Sequence, residues 1–196
     1  KGDKDIVNTI TTDTIPDNAD NIAAVTSLTT QTQLRQSVTY FDTHLGQGDE
    51  LADYTFNYDS TGATVKNVSY SFYGTALERA SLVDTTELSN GQNYLSKSET
   101  YKGTTSTAIN TVANRRSATF FTGTNPGDEI ADYSFNYSAT DGTTIRSTSI
   151  NFYGSTGTLR AGSATTTDVL YASVSYKGNK DIVNTITTDT IPDNAD

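Results

Sequence analysis

Gly48-Asp-Glu-Leu-Ala-Asp-Tyr-Thr-Phe-Asn-Tyr58 returns as Gly127-Asp-Glu-Ile-Ala-Asp-Tyr-Ser-Phe-Asn-Tyr137, and this pair of stretches decides the fold. In the first copy Tyr54, Phe56 and Tyr58 alternate with Thr55 and Asn57; in the second Tyr133, Phe135 and Tyr137 alternate with Ser134 and Asn136. Successive side chains of a β-strand point to opposite faces, so a period of two puts rings on one face and small polar groups on the other. The alternation resumes at Val68, Tyr70 and Phe72 after Asp59-Ser-Thr-Gly62, and at Ile150 and Phe152 after Ser138-Ala-Thr-Asp-Gly142. Short polar residues with a glycine able to take positive φ are hairpin-turn chemistry.

Working outward, the flanks repeat as well. Arg35-Gln-Ser-Val-Thr-Tyr-Phe41 matches Arg115-Arg-Ser-Ala-Thr-Phe-Phe121, and Phe72-Tyr-Gly74 matches Phe152-Tyr-Gly154. Ser98-Glu-Thr-Tyr-Lys-Gly103 matches Ser173-Val-Ser-Tyr-Lys-Gly178. The chain therefore divides into a variable leading segment 1–34, a β-repeat subunit 35–103, a second subunit 104–178, and a tail 179–196 that copies residues 3–20. Further strands are expected at Ser37–Asp42, Ala76–Val83, Tyr94–Tyr101, Ser117–Thr122, Thr158–Ala164 and Val169–Tyr176, where Thr and Tyr supply β propensity. Asp20-Asn-Ile-Ala-Ala-Val-Thr-Ser-Leu28 admits a short helix, with Ile22, Val25 and Leu28 at helical spacing, while its Thr content favours loop or strand. Lys1–Asp20 recurs as Lys177–Asp196 with Asn179 for Asp3, a displacement of 176 positions. Such near-identity reads as a window from a longer tandem array, as does the missing initiator Met.

Composition narrows the function. The 196 residues carry a net charge of −10 and no Cys, which removes disulfides, thiolate metal sites and a cysteine nucleophile. The acidic balance argues against nucleic acid, whose phosphates require clustered Lys and Arg. No apolar run approaches a membrane span, and no signal peptide or anchor is read at the N-terminus. Thr (37) and Ser (19) dominate while Leu, Ile, Val and Phe total only 38, too few for one repeat to bury a large core alone. Stacked copies share a continuous core, so the expected class is all-β: a tandem repeat of β-hairpins and short strands stacked into an elongated or fibrous assembly. Open strand edges at its ends favour self-association by end-to-end growth.

Tyr58-Asp59-Ser60-Thr61-Gly62 resembles the core of the tyrosine–aspartate repeats of Rhs-type bacterial surface proteins. The wider pattern of Gly-Asp-Glu, Asp-Tyr-x-Phe-Asn-Tyr, Phe-Tyr-Gly, Arg-Ala and Tyr-Lys-Gly is similar to large Tyr-rich tandem-repeat proteins of environmental bacteria. The second copy departs from the tyrosine–aspartate motif, since Ser138 follows Tyr137 and the Asp is displaced to Asp141. The resemblance implies an extracellular or cell-surface β-repeat scaffold and carries over no catalytic residue. A structural fibre or filament is the leading expectation, and an adhesin stalk or glycan-binding module on the same repeat is the alternative.

Residues that could carry chemistry are few. His44, the sole histidine, lies in Asp42-Thr-His-Leu-Gly46 and has no counterpart in Thr122-Gly-Thr-Asn-Pro126, so it reads as a surface-loop residue and not as part of a triad. Asp49, Glu50 and Asp53 recur as Asp128, Glu129 and Asp132, hard oxygen ligands that could hold Ca²⁺ if they converge, and otherwise solvated turn residues. Asp17-Asn-Ala-Asp-Asn21 is a second oxygen-rich run. No cofactor is otherwise implied, and paired carboxylates alone make a weak argument for glycoside hydrolysis, so an enzyme is not expected. Tyr54, Phe56, Tyr58, Tyr70, Phe72, Tyr133, Phe135, Tyr137, Ile150 and Phe152 are assigned to core and assembly, with glycan stacking as the other use of such rings. Arg79 and Arg160 are expected to pair with Asp residues of a neighbouring unit. A Thr ladder of the ice-binding kind is not expected, because Thr is irregularly spaced along the chain.

Overall fold

The computed structural model describes residues 36–103 and 111–178. The leading segment, its alternative helix at 20–28, the oxygen-rich run at 17–21 and the tail 179–196 lie outside the described residues. The protein is all-β. Among the described residues eight strands, β1 (Ser37–Asp42), β2 (Leu51–Tyr58), β3 (Val65–Tyr73), β4 (Leu95–Lys102), β5 (Arg115–Thr122), β6 (Ile130–Tyr137), β7 (Ile145–Tyr153) and β8 (Leu170–Lys177), form one sheet in chain order. Every neighbouring pair is antiparallel, and β1 and β8 are its two edges.

The alternation in sequence becomes two chemically distinct faces, because antiparallel register sets like residues opposite one another. One row runs Tyr40, Tyr54, Tyr70, Glu99, Ala118, Phe135, Thr148, Tyr176 across all eight strands. Beside it run Phe72, Lys97, Phe120, Tyr133, Ile150 and Val174. On the opposite face Thr39, Thr55, Ser69, Thr100, Ser117, Asn136 and Ser147 form an unbroken polar row ending at Lys177. A second row joins Ser71, Ser98, Thr119, Ser134, Ser149 and Ser175. Hydroxyls meet along these rows at 2.9 Å for Thr39–Thr55, Ser69–Thr100 and Thr119–Ser134, and at 2.7 Å for Ser149–Ser175. These rows make a mixed hydroxyl ladder, not a regular Thr ladder. It runs across the strands, where spacing along the chain does not display it, and mixes Ser, Thr and Asn.

The ring face holds the core. Phe56, Val68 and Tyr70 are fully buried, and Tyr54, Tyr58, Val65, Phe72 and Tyr101 nearly so, with Val38 and Tyr40 packed against them. Tyr40 stacks on Tyr54 at 4.7 Å, and Phe56 meets both rings edge-on. The second repeat copies this arrangement, Phe120 stacking on Tyr133 at 4.6 Å with Phe135 set edge-on to Phe120. There Ile150 and Phe152 are fully buried, whereas Tyr133, Phe135 and Tyr137 are half-buried. Burial pushes the Tyr54 and Tyr73 hydroxyls up to about 12, so these rings stay un-ionised at neutral pH.

Two expected strands are corrected. Ala76–Val83 and Thr158–Ala164 each make a single bridge, Glu78 to Tyr73 and Leu159 to Tyr153, and then enter 3₁₀ turns at Ala80–Leu82 and Ala161–Ser163. The chain reverses immediately after Tyr73, with Gly74 and Leu77 both at positive φ, and Tyr73 and Glu78 exchange both backbone bonds at 2.8 and 3.0 Å. Such a tight reversal leaves no length for a ladder. A helix unforeseen in sequence, α1 (Thr85–Ser89), follows in the first repeat. It starts at a capping box: Asp84 accepts from the Thr86 and Glu87 amides, and Glu87 accepts from the Asp84 amide. In the hairpin after β6, Gly142 sits at φ +64 with the Val112 carbonyl where a Cβ would stand, so only glycine fits.

Candidate functional site

The two repeats meet as one sheet, and their joint is β4 on β5. Its register sets Lys97 against Phe120, Ser98 against Thr119, Glu99 against Ala118 and Thr100 against Ser117. Glu99 is buried, and a buried carboxylate is tolerable only with partners. It has them from both repeats: Tyr101 donates its hydroxyl at 2.7 Å, Lys97 lies at 3.4 Å, and Arg115 of β5 at 3.3 Å. Arg115 also covers the Tyr137 ring at 4.0 Å and donates to the Gly142 carbonyl, tying the start of β5 into its own repeat. Burial and the adjoining Glu99 both push the Tyr101 hydroxyl upward.

A second clasp explains the recurring Gly-Asp-Glu. Glu129 accepts from the Gly127 amide through Oε2 at 2.8 Å and from the Leu95 amide of β4 through Oε1 at 2.9 Å. One carboxylate therefore closes its own turn and caps the first residue of the preceding repeat's last strand. Glu50 closes the matching turn with Gly48, again through Oε2, at 3.1 Å.

The remaining candidate carboxylates have other roles. Asp53 receives Arg79 in a two-pronged pair, Nε to Oδ1 and Nη2 to Oδ2, both 2.7 Å, and the guanidinium lies 4.7 Å from the Tyr70 centroid. Asp132 receives Arg160 as well, with Nε and Nη2 both directed at Oδ1 at 2.9 and 2.8 Å. The pairs join residues of one repeat, which corrects the expected pairing between units: the reversal after β3 or β7 carries each arginine back over its own sheet. Asp49 and Asp128 stay in the exposed turns, Asp128 within 3.4 Å of the Asn125 amide. Among the described residues no three of His, Cys, Asp or Glu come together as a metal-holding group.

His44 belongs to the first repeat alone. Its Nδ1 faces the Asp42 carboxylate, and its Nε2 lies 2.8 Å from the Val83 carbonyl, linking the end of β1 to the segment beneath the 3₁₀ turn. Two acceptors favour the imidazolium: the bond to Asp42 raises the pKa above 6.5 against partial desolvation, and the Val83 carbonyl and the Asp42 charge add to the rise. Desolvation alone would raise Asp42, but its bonds to His44 together hold it below the usual range. A raised folded-state pKa gives a clamp fully present below about pH 6.5 and lost as pH climbs through the folded value. An NMR titration of the imidazole is expected to show a midpoint above 6.5 that returns toward 6.5 in Asp42→Asn; an unshifted midpoint would remove the clamp.

At the joint a cleft of ≈ 400 Å³ opens between the turn after β3 and the end of β5, lined by Leu77, Tyr94, Ser96, Phe120, Asp132 and Tyr133 among others. Tyr133 is stacked on Phe120, and Asp132 is held by Arg160. Among the described residues no helix is long and apolar enough to cross a membrane. No protein family, no curated protein and no solved structure matches the chain.

The sequence singled out the rings and Gly-Asp-Glu, but the joint residues Glu99 and Arg115 escaped notice. Arg115 stood within a quoted repeat, and Glu99 stood where the second copy has Val174. A charge at a position that alternation assigns to the ring face was the available signal.

Proposed function

We propose that the chain is a structural repeat protein whose copies join edge to edge into a filament at the cell surface. One observation carries this: within the chain, repeat joins repeat by continuing the sheet, and the outer edges β1 and β8 are the repeat counterparts of the two strands that make that joint. An edge strand exposes unpaired N–H and C=O groups, and proteins that stay monomeric blunt it with proline, bulges or inward charges. Neither β1 nor β8 contains proline, and their charged residues are confined to the last positions, Asp42 and Lys177; the register shift at Tyr171 of β8 has its counterpart at Ser96 of β4, which pairs with β5 all the same. Joining unlike edges is heterologous association, which grows into an open filament when the rotation from copy to copy does not close a ring. The cell-surface setting rests on the likeness to Tyr-rich surface repeats.

Glycan binding is the weaker proposal, because the rings bordering the cleft already stack on one another and its acid is already paired. Imaging the purified chain over a range of concentrations tests assembly. Filaments with strands crossing the long axis are expected, and compact monomers at every concentration would refute it.

A further inference from the structure

The internal joint is a template for the contact between molecules. We propose that β8 of one copy pairs antiparallel with β1 of a second copy in the register of β4 on β5, setting Ala172 against Tyr40, Ser173 against Thr39, Val174 against Val38 and Ser175 against Ser37. This rests on edge-to-edge assembly and adds the strands, polarity and register by which it occurs.

Exposure at equivalent positions supports the assignment. Phe121 is half-buried where β5 lies beside β4, while its counterpart Phe41 is 58% exposed on the free edge. Leu95 and Tyr94 are half-buried at the joint, while their counterparts Leu170 and Val169 are 57% and 64% exposed. These three side chains are bare where their counterparts are sheltered, and they lie on opposite edges, where one copy's β8 and another's β1 would cover them.

The chemistry of the two edges also matches. On the ring face Val174 meets Val38, a β-branched pair favoured across strands. On the other face Ser173 meets Thr39 and Ser175 meets Ser37, reproducing Ser98 on Thr119 and Thr100 on Ser117. The hydroxyl ladder would then run from copy to copy. Glu50 supplies the last element: it already closes its turn through Oε2, as Glu129 does, and its Oε1 would take the Leu170 amide as Glu129 takes that of Leu95. The second Gly-Asp-Glu clasps the internal joint, and the first clasps the joint between molecules.

Because the chain has no cysteine, introduced pairs report the contact without background. Facing residues of an antiparallel pair lie about 4.5–5.5 Å apart and can be bridged, whereas a two-residue slip puts them at about 7 Å or more, beyond a disulfide. Full-length chains carrying Thr39→Cys with Ser173→Cys, or Ser37→Cys with Ser175→Cys, are expected to oxidise into ladders of covalent dimers, trimers and larger species. The crossed combinations, Thr39→Cys with Ser175→Cys and Ser37→Cys with Ser173→Cys, should do so at least about tenfold more slowly. Glu50→Ala should raise the concentration needed for assembly by about tenfold, with Asp49→Ala in the same turn leaving it unchanged. Filaments in which a crossed pair links faster would overturn the register and leave edge-to-edge assembly standing, whereas a disulfide closing within one chain would mean that β1 and β8 of one copy pair with each other and would overturn both. Absence of assembly at every concentration would overturn both.

Discussion

Phe56→Ala is expected to destabilise the first repeat by about 3–5 kcal/mol, the cost of emptying a fully buried aromatic site. The ring is 0% exposed, lies edge-on to Tyr40 and Tyr54, and faces the fully buried Val68. Its counterpart Phe135 lies edge-on to Phe120 and tilted against Tyr133 but is only half-buried. Phe135→Ala should therefore cost about half as much, because the transfer term scales with the apolar area removed from water. Urea unfolding of the two variants measures the difference, and equal losses would mean that the halves of the ring face are equally covered. Since nearest-neighbour contacts couple stacked repeats, the Phe56→Ala chain is expected to lose its first repeat before its second.

Arg79→Ala is the second large effect, about 2–4 kcal/mol, because it strands a largely buried Asp53 carboxylate and uncovers the Tyr70 ring. The paired side chains are 15% and 17% exposed, far from the solvated surface pairs that contribute little. In a double-mutant cycle with Asp53→Ala the double variant should lose clearly less than the sum of the singles, since the second truncation removes the charge that the first left unpaired. Additive losses would mean that the two groups act independently. The cycle also separates a structural Asp53 from a ligand: a carboxylate committed to Arg79 at 2.7 Å makes Arg79 its essential partner.

Legibility in the sequence followed the reach of each signal. Alternation acts from one residue to the next but one, so Tyr54, Phe56 and Tyr58 declared β2, and the second copy declared β6. Both hairpin turns were legible because Asp59 and Asp141 hold them by local bonds, Asp59 to the Thr61 amide and Asp141 to those of Thr143 and Thr144. The displaced Asp does the same work from inside its loop, and those bonds hold its carboxyl down at about 2. What depends on register was hidden. Thr39, Thr55, Ser69 and Thr100 are neighbours across strands and scattered along the chain. Likewise Glu129 looked like a turn carboxylate because its second partner, the Leu95 amide, lies 34 residues away. The false strands at Ala76–Val83 and Thr158–Ala164 show the converse: local β propensity yields where a positive-φ reversal has already turned the chain. The capping box Asp84-Thr-Thr-Glu87 is a local signal, and it starts a helix in the gap between two expected strands, where no element was assigned.

The central claim is that the sheet within one copy continues into the next. Cryo-electron microscopy of assembled chain tests it most directly, through the axial advance per copy and the direction of the strands. Eight strands spaced about 4.8 Å apart predict an advance of about 38 Å per copy, slightly shortened by twist, with strands across the axis. Filaments with strands running along the axis, or an advance unrelated to eight strand spacings, would contradict it.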